Sequence, residues 1–445
     1  MRADLPPGPS YPSLIHAIGF WTRPLAWLER NRERYGKKFT TRFPLSPHFV
    51  ILSEPDDLKQ VFTAPPDVLH PGQGARILEP IVGKNSVLLL DEDAHMSQRK
   101  LMLPAFHGKK MAALDGLMTE VAEREVASWP GGEPIALHPR MQRLTLEIIL
   151  RAAFGLDPGP RLDALRDALA EMLKFGEQPI GLVPLPTEGP VADALSKIPP
   201  LARFDRMQAV ADELIFEQIA ERRAEGDQDR DDVLAMLLAA RHEDGSPMSD
   251  QELRDELMTL LVAGHETTAS SLAWAFNMLP RNPEVLATLT DEVRSGDGDE
   301  YVTATIHETL RARPVLPNAQ PRFTVKPITV GGFDYPEGVC LVPNAYLVHH
   351  DAEVYDDPYT FRPERFLDEG PGTYTWIPFG GGRRRCLGAS FAMAEMKLVL
   401  QTVLSTHDVR ADGAVEGPRR HNITIRPAGG ARTVLGARER EPAAA

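Results

Sequence analysis

The chain has 445 residues, of which 42% are hydrophobic and 25% are charged, a balance typical of a globular protein rather than of a disordered or fibrous one. Its 63 acidic and 49 basic residues give a formal net charge of -14, which opposes general attraction to nucleic acid or to anionic lipid. With only two cysteines, Cys340 and Cys386, the sequence excludes a secreted disulfide scaffold and a cysteine-rich zinc site.

Hydropathy along the chain predicts neither a membrane span nor a secretory signal. No stretch approaches the roughly 20 apolar residues that cross a bilayer, and residues 1–9 lack the apolar core of a signal peptide. We therefore expect a cytoplasmic protein with no membrane anchor and no nucleic-acid partner.

The N-terminal region predicts a mixture of helix and short strands. Residues 24–35 have a helical pattern, and residues 38–42 and 49–52 read as strands. Ser53 is predicted to cap the helix that follows. Residues 68–90 contain prolines and glycines that break any regular period, which indicates a long loop over a cavity.

Helical periodicity dominates residues 94–279, with breaks at 129–132 and at 178–200. The second break is rich in proline but also carries apolar side chains such as Ile180 and Leu182. We predict a mobile lid here, and a plain interdomain linker is the alternative.

The longest helix is predicted to begin after Ser249, because Ser249-Asp250-Gln251-Glu252 is a capping box, and to end before Pro280. One face of this helix is unusually small. It is formed by Leu260, Ala263, Gly264, Thr267, Thr268 and Ser271. A flat ring could lie on this face, but close packing of another helix would select the same residues.

After Pro314 the pattern changes to short strands and turns, and a helix resumes at residues 389–406. Cys340 lies in a short apolar run and is expected to pack in a strand as a small hydrophobic side chain. Its surroundings therefore give it no chemical role.

The second cysteine follows three glycines and three arginines, in the run Phe379-Gly-Gly-Gly-Arg-Arg-Arg-Cys386-Leu-Gly388. Glycines let a backbone approach a bulky partner, and arginines and a following helix N-terminus favour a thiolate. Cys386 is therefore predicted to be a metal ligand or a nucleophile. A phosphate-binding loop would need Gly-Lys-Ser/Thr, and a phosphatase-type loop would need its arginine after the cysteine.

This run resembles the haem-binding signature of the cytochrome P450 family, Phe-x-x-Gly-x-Arg-x-Cys-x-Gly, through Phe379, Gly382, Arg384, Cys386 and Gly388. The resemblance implies that Cys386 is the proximal ligand of the iron of haem b (iron protoporphyrin IX). It further implies that Arg384 meets a haem propionate and that Phe379 covers the thiolate.

The same resemblance implies the fold and extends over essentially the whole chain. We expect a mainly α protein with a smaller β region, forming a single domain over residues 1–445 with haem between the long helix and the cysteine loop. The β-rich part is expected at residues 36–65 and 315–345 and in C-terminal strands. The helical part is expected at 94–314 and 389–406.

Two further motifs resemble conserved parts of the family's framework and oxygen site. Glu308 and Arg311 resemble its Glu-x-x-Arg pair, which Arg365 of the segment Pro363-Glu-Arg-Phe366 would join in a structural role. On the long helix, the run Ala263-Gly264-His265-Glu266-Thr267 resembles the oxygen-binding stretch. Ala263 and Gly264 would then face haem, and Glu266 and Thr267 would form the pair that delivers protons.

The propionates of haem need basic partners besides Arg384. His95 and Arg99 lie four residues apart and resemble the family's propionate-binding helix, although many members have tryptophan where His95 stands. Arg322, which follows a proline, resembles a further propionate ligand.

The function implied by the resemblance is that of a monooxygenase, which inserts one oxygen atom of O2 into a small molecule by hydroxylation or epoxidation. The expected substrate is lipophilic, such as a fatty acid, terpenoid or steroid-like compound, because the candidate substrate loops are mostly apolar. These loops are residues 68–90, 175–200, 315–320 and 421–423.

Electrons are expected from a separate ferredoxin or flavodoxin with its NAD(P)H-dependent reductase, delivered to a monomer. The partner would bind beside Cys386, where Arg383, Arg385, Lys109 and Lys110 could form a local basic patch.

Three alternatives share this fold. They are a peroxygenase that uses hydrogen peroxide, a haem-thiolate isomerase or dehydratase that needs no O2, and a haem-binding sensor without turnover. The acid and the alcohol at Glu266 and Thr267 count against all three.

Overall fold

The computed structural model describes residues 5–44, 46–106, 109–176, 198–226, 230–421 and 423–437. The lid predicted at residues 178–200 lies outside the described residues except for its last three positions. The side chains of residues 107–113, including Lys109 and Lys110, are also outside this description.

Helices form most of the fold. Those of the N-terminal half are α1 (Ser13–Thr22), α2 (Pro24–Tyr35), α3 (Pro55–Thr63), α4 (Pro71–Gly74), α5 (Glu79–Val82), α6 (Glu92–Met102), α7 (Lys109–Ala127), α8 (His138–Phe154) and α9 (Pro160–Gly176). Those of the C-terminal half are α10 (Pro199–Glu225), α11 (Val233–Ala239), α12 (Asp250–Met278), α13 (Pro283–Ser295), α14 (Glu300–Ala312), α15 (Ala345–His349) and α16 (Ala389–Thr406).

The strands are short and form a smaller β region. They are β1 (Lys38–Arg42), β2 (His48–Leu52), β3 (Leu69–His70), β4 (Pro134–Ala136), β5 (Arg322–Thr324), β6 (Ile328–Val330), β7 (Phe333–Tyr335), β8 (Cys340–Pro343), β9 (His407–Ala411), β10 (Pro418–His421), β11 (Thr424–Pro427) and β12 (Arg432–Ala437).

The main sheet has five strands in the order β1-β2-β8-β5-β3, in which only the β2–β8 pair is parallel. A second sheet has the order β4-β12-β9, and β6-β7 and β10-β11 are two-stranded antiparallel hairpins. Strand β12 therefore joins the C-terminal strand β9 to residues 134–136 of the first half of the chain.

Helix α12 runs through the centre of the helical part. It packs against α5, α8, α10, α14 and α16, and against β11 on the side of the hairpin. Trp274 is fully buried, and its indole Nε1 donates a hydrogen bond to the Ile425 carbonyl at 2.8 Å. Elements that are distant in sequence thus meet on this one helix.

Several local predictions are confirmed. The helices predicted at residues 24–35 and 389–406 match α2 and α16, and the strand at 38–42 matches β1. The capping box before α12 is complete, because Ser249 Oγ accepts from the Glu252 N–H and the Ser249 N–H donates to the Glu252 carboxylate. Cys340 is fully buried in β8, where burial raises the pKa of its thiol.

The prediction that Ser53 caps a helix is wrong. Helix α3 begins at Pro55 with Glu54 in the N-cap position, and the Ser53 hydroxyl donates instead to the Lys37 carbonyl at 3.0 Å. Proline suits the first helical position because its ring already holds the helical φ and it has no N–H to satisfy. The serine is left to tie the end of β2 to the start of β1.

The long loop predicted at residues 68–90 is also wrong in part. This segment contains β3, α4, a 3-10 turn at Arg76–Leu78, and α5. Pro71 and Pro80 lie in the first turns of α4 and α5, where proline begins a helix instead of breaking one.

In the part of the chain that the structure describes, every helix is too short or too polar to cross a membrane.

Replacement of Ser249 by alanine should destabilise the protein by about 1 kcal/mol, because the N–H of Glu252 loses its capping acceptor. Urea unfolding followed by circular dichroism measures this loss. Ser249→Asn keeps a capping oxygen and should remain near the wild-type midpoint. Equal midpoints for the two variants would show that the cap contributes nothing.

Candidate active site

The cysteine loop is wrapped tightly around the end of α3. A Cβ placed on Gly382 would lie 2.0 Å from the backbone oxygen of Phe62, and one on Gly381 would lie 2.6 Å from the Phe62 ring. Gly382 also has a φ of +64°, which is strained for any side chain. Only glycine fits these two positions, so the loop can rest directly on Phe62.

Cys386 lies at the end of this wrapped loop. Its N–H donates to the Phe379 carbonyl at 2.9 Å, which closes the loop. Its side chain stays accessible although many protein atoms surround it. Phe379 is half-buried and contacts Trp376 edge to face, with ring centroids 5.8 Å apart.

The surroundings of Cys386 do not ionise it by themselves. Nearby protein atoms displace water and raise the pKa of the Cys386 thiol, and the Gly388 N–H, Arg99 and Arg385 lower that pKa only in part. The helix N-terminus and the arginines therefore favour the thiolate, as the sequence predicts, but desolvation outweighs them in the protein alone.

A cluster of basic side chains stands beside the loop. Arg384 donates to the carbonyls of Val87 and Leu90 and forms an ion pair of 2.8 Å with Asp91. Arg99 Nη2 donates to the Arg385 carbonyl at 2.8 Å.

Arg322 is buried on the other side of this cluster. Its guanidinium lies over the Phe62 ring, 4.9 Å from the centroid, and donates to the Gln320 carbonyl at 2.6 Å. A small cavity between α3, β3 and α6 is lined by Arg322, Arg384 and His95.

This cluster carries more positive charge than its protein neighbours balance. Burial, with the charges of Arg384 and Arg99, lowers the pKa of His95 to about 3. Burial and Arg384 lower the pKa of Arg322 to about 9, and burial lowers that of Arg384 to about 10 despite Asp91. His95 is therefore neutral at pH 7 while the arginines remain charged, and the site favours an anionic ligand.

The face of small residues predicted on α12 contains both buried and exposed side chains. Ala263 is exposed and Gly264 and Thr267 are half-exposed, whereas Thr268 and Ser271 are buried. Thr268 hydrogen-bonds the carboxyl of Glu395 on α16, the helix that follows the cysteine loop. Close helix packing therefore explains the buried residues but not the open ones.

The open stripe at Ala263, Gly264 and Thr267 is the feature that fits a flat ring. Nearly every other side chain of α12 from Leu253 to Met278 is buried. A Cβ on Gly264 would meet only Ile149 at 3.4 Å, so packing does not require glycine there. Thr267 Oγ1 donates to the Ala263 carbonyl at 2.5 Å.

Glu266 and Thr267 do not contact each other. Neighbouring positions on a helix point about 100° apart, and Glu266 turns into a buried polar cluster. Its carboxylate oxygens lie 3.2 Å from His138 Nε2, 3.1 Å from His421 Nδ1 and 2.7 Å from Gln142 Nε2. Sequence reasoning missed these partners, which lie more than 100 residues away and belong to no local motif.

The charge of Glu266 is stabilised by this cluster. Burial opposes ionisation, but hydrogen bonds from His138 and His421 outweigh it and hold the pKa of the Glu266 carboxyl well below its usual value. Ser270 Oγ adds a hydrogen bond of 2.8 Å. The carboxylate is therefore an ionised acceptor held to one side of the helix.

Glu308, Arg311 and Arg365 meet as the sequence predicts. Arg311 pairs with both carboxylate oxygens of Glu308, at 2.7 and 2.8 Å, and Arg365 Nε lies 3.3 Å from Glu308 Oε2. The segment just before the cysteine loop is also fixed. Trp376 Nε1 donates to the His307 carbonyl at 3.1 Å, and the Ile377 N–H donates to His349 Nε2 at 2.9 Å.

Together, the fold and the site define a helical protein that offers a cysteine and a basic cluster to a flat anionic ligand. The family model of cytochrome P450 matches residues 6–430. The chain belongs to the cytochrome P450 family, whose cofactor is haem and most of whose members are oxidoreductases.

Relatives and solved structures agree with this assignment. A protein of Mycobacterium tuberculosis provisionally named cytochrome P450 135B1 is 39% identical over 435 residues, covering 96% of this chain and 90% of the relative. Another, provisionally named cytochrome P450 138, is 38% identical over 434 residues, covering 97% and 96%. A retinoic acid-bound cyanobacterial CYP120A1 has the same fold, with a TM-score of 0.83, 22% identity, and coverage of 98% of this chain and 100% of that one.

Gly382→Ala should lose most of its bound haem, because the new Cβ collides with Phe62 and displaces the loop that carries Cys386. Gly380→Ala is the matched control, since Gly380 also has positive φ (+67°) but its Cβ would meet only the Arg384 oxygen at 4.0 Å. The control should cost only about 1–2 kcal/mol of backbone strain. Haem per protein chain is measured by absorbance, and equal retention in both variants would contradict the prediction.

Proposed function

We propose that the protein is a haem-thiolate monooxygenase that inserts one oxygen atom of O2 into a lipophilic small molecule, by hydroxylation or epoxidation. The observation that carries this proposal is the open stripe of Ala263, Gly264 and Thr267 on the otherwise buried α12. It gives a flat ring a place to lie with a hydroxyl at its edge. The apolar candidate substrate loops support a fatty acid, terpenoid or steroid-like substrate.

Haem b would be held through charge and through sulfur. Arg322, Arg384 and Arg99 would bind its propionates, and His95 would donate a hydrogen bond as a neutral imidazole. Arg384 would share its guanidinium between Asp91 and the propionate. The excess of positive charge in this cluster supports the assignment.

Cys386 would bind the iron as a thiolate. Desolvation disfavours the free thiolate, and the positive charge of the iron would stabilise it. The Gly388 N–H would donate to the sulfur, as it does to the thiol, and Phe379 would shield it from water. When bound, haem supplies the oxygen activation that a thiolate ligand promotes by donating electron density.

Thr267 and Glu266 would transfer protons on the side of haem that faces α12. The Thr267 hydroxyl gives its proton to the Ala263 carbonyl and keeps oxygen lone pairs with which to accept another. Delivery from Glu266 requires its side chain to leave His138 and His421, or a chain of ordered water to reach Thr267.

The position of Glu266 favours a second candidate, a peroxygenase that inserts one oxygen atom of hydrogen peroxide, releases the other as water and needs no external electrons. Glu266 is engaged away from the open stripe, so its presence counts less against this reaction than the sequence suggests. A ¹⁸O2 experiment separates the two. Label in the product with NAD(P)H and a redox chain supports the monooxygenase, whereas turnover only with hydrogen peroxide supports the peroxygenase.

Electrons for the monooxygenase would come from a ferredoxin or flavodoxin and its NAD(P)H-dependent reductase. Arg383 and Arg385 are both exposed next to Cys386 and would form the core of the partner's binding surface. The protein would act as a monomer in the cytoplasm.

Cys386→His should abolish the red-shifted absorption band that thiolate-ligated haem gives when reduced and bound to carbon monoxide, because imidazole is a weaker electron donor. Cys340→Ala removes the other, buried cysteine and should keep the band. Spectra of the two reduced carbon monoxide complexes provide the measurement. A persistent band in Cys386→His would rule out Cys386 as the ligand.

Thr267→Val should leave haem binding intact but divert consumed NAD(P)H from product into hydrogen peroxide, because protons are no longer placed by a hydroxyl. We expect the ratio of product to NAD(P)H to fall by about tenfold or more. Thr267→Ser keeps the hydroxyl and should remain largely coupled. If valine and serine variants are equally coupled, Thr267 has no role in proton delivery.

A further inference from the structure

Asp91 stands at the N-cap of α6, but its side chain does not cap the helix. An aspartate in that position usually accepts a hydrogen bond from an N–H of the first turn. Here Oδ1 accepts instead from the Gly72 N–H at 2.7 Å and from Arg384 Nη2 at 2.8 Å. The carboxylate is therefore turned away from its own helix and toward the cysteine loop.

The backbone next to Asp91 is strained. Glu92 has a φ of +50°, a value that residues with a side chain rarely adopt. Its carboxylate lies 2.8 Å from His70 Nε2, a contact that holds Glu92 in place. Strain of this kind persists only where the surrounding contacts maintain it, so the orientation of Asp91 is fixed by this part of the fold.

Gly72 leaves the space that this orientation needs. A Cβ at this position would lie 2.2 Å from the Leu89 carbonyl oxygen and 2.7 Å from Asp91 Oδ2. Only glycine therefore lets the backbone of α4 come close enough to donate its N–H to Asp91. Residues 70–74 and 89–92 are thus packed around one carboxylate.

The neighbouring arginines have no comparable partner. Among the described residues, Arg99 and Arg322 pair with no acidic side chain, and each donates instead to a backbone carbonyl. Asp91 is therefore the carboxylate that offsets positive charge by direct contact in the cluster beside the cysteine loop. That contact is made with Arg384.

Arg384 can hold Asp91 and a ligand at the same time. A guanidinium has five N–H groups. One of them, on Nη1, donates to the Val87 carbonyl, and both on Nη2 are used by the Leu90 carbonyl and Asp91. Within the described contacts, the Nε–H and the second N–H of Nη1 remain for a further acceptor. One positive charge would then serve two carboxylates that repel each other.

We propose that Asp91 is a positioning residue that shares Arg384 with a haem propionate and thereby lowers the reduction potential of the haem iron. Reduction adds a negative charge to haem, and the charge of Asp91 disfavours that addition. The same competition weakens the hold of Arg384 on the propionate, so haem dissociates faster than it would beside an unshared arginine. The inference rests on the propionate contact of Arg384 in the proposed function, and not on the reaction.

This effect bears on the choice of redox partner. Electron transfer is downhill only from a carrier whose potential is more negative than that of the acceptor. By keeping the haem potential low, Asp91 would restrict reduction to strongly reducing ferredoxins or flavodoxins.

Asp91→Asn tests the proposal, because asparagine keeps an oxygen for the Gly72 N–H and for Arg384 but removes the charge. Aspartate and asparagine are also equally suited to an N-cap. We expect the ferrous state to be favoured by about threefold to tenfold relative to wild type. A tenfold change corresponds to about 59 mV for one electron. The potential is measured on the haem-loaded full chain by spectroelectrochemical titration.

Haem release provides a second readout. Transfer of haem from Asp91→Asn to excess apomyoglobin should slow by about threefold or more, because Arg384 then serves the propionate alone. A merely structural role of Asp91 predicts the opposite result, which is faster release with an unchanged potential.

The matched control is Asp93→Asn, the same substitution two residues further on, at an exposed position in the first turn of α6. Solvent screens this charge, so potential and haem release should match those of wild type. An unchanged or more negative potential in Asp91→Asn, or equal shifts in both variants, would overturn the proposal. Thermal unfolding checks that both variants keep the fold.

Arg384→Lys checks the contact on which the inference rests. Lysine lacks the planar fork of arginine, so it should hold Asp91 and the propionate less well and release haem faster. Release as slow as in wild type would show that Arg384 binds no propionate, and would overturn the inference. None of these readouts depends on turnover, so a failure to insert oxygen from O2 would be recognised separately.

Discussion

The buried ion pair between Glu308 and Arg311 is the interaction on which the position of the cysteine loop depends. Removing two charges from water costs several kcal/mol per ion unless their hydrogen bonds are replaced. Here Arg311 also donates to the carbonyls of His349 and Pro358, and Glu308 accepts from the Arg362 N–H. These bonds hold residues 349–362 against α14. The segment before the cysteine loop is therefore fixed in place, and the glycines of the loop allow the loop to pack against Phe62.

A second constraint is the imbalance of charge beside that loop. Arg384 has Asp91 as a partner, but Arg322 faces a carbonyl and an aromatic ring, and burial disfavours its charge. The protein thus keeps a positive region that its own residues do not neutralise, at a cost in stability that an anionic ligand would remove. Binding of such a ligand should therefore stabilise this region as well as fill it.

The parts predictable from sequence are those set by neighbours in the chain. The capping box at Ser249, helix α2 and the glycines of the cysteine loop follow from local rules of backbone geometry. The prediction for Ser53 failed because Ser53 and Glu54 both precede the helix, and a start at Pro55 leaves Glu54 in the N-cap position. Contacts between residues that are far apart in the chain produce no local sequence pattern. His138 and His421 reach Glu266 from α8 and β10, so the surroundings of a recognised motif residue had to come from the fold.

The net charge of the chain likewise does not predict the charge of a particular site. A value of -14 averages over the whole molecule and does not reveal local groups of one sign, such as Arg322 and Arg384. The fold places these arginines around one small cavity together with His95, so overall acidity does not argue against binding of an anionic ligand there. Charge is balanced just as locally at Glu266, where His421 at the end of β10 lies 3.1 Å from the carboxylate, a contact that neither composition nor net charge indicates.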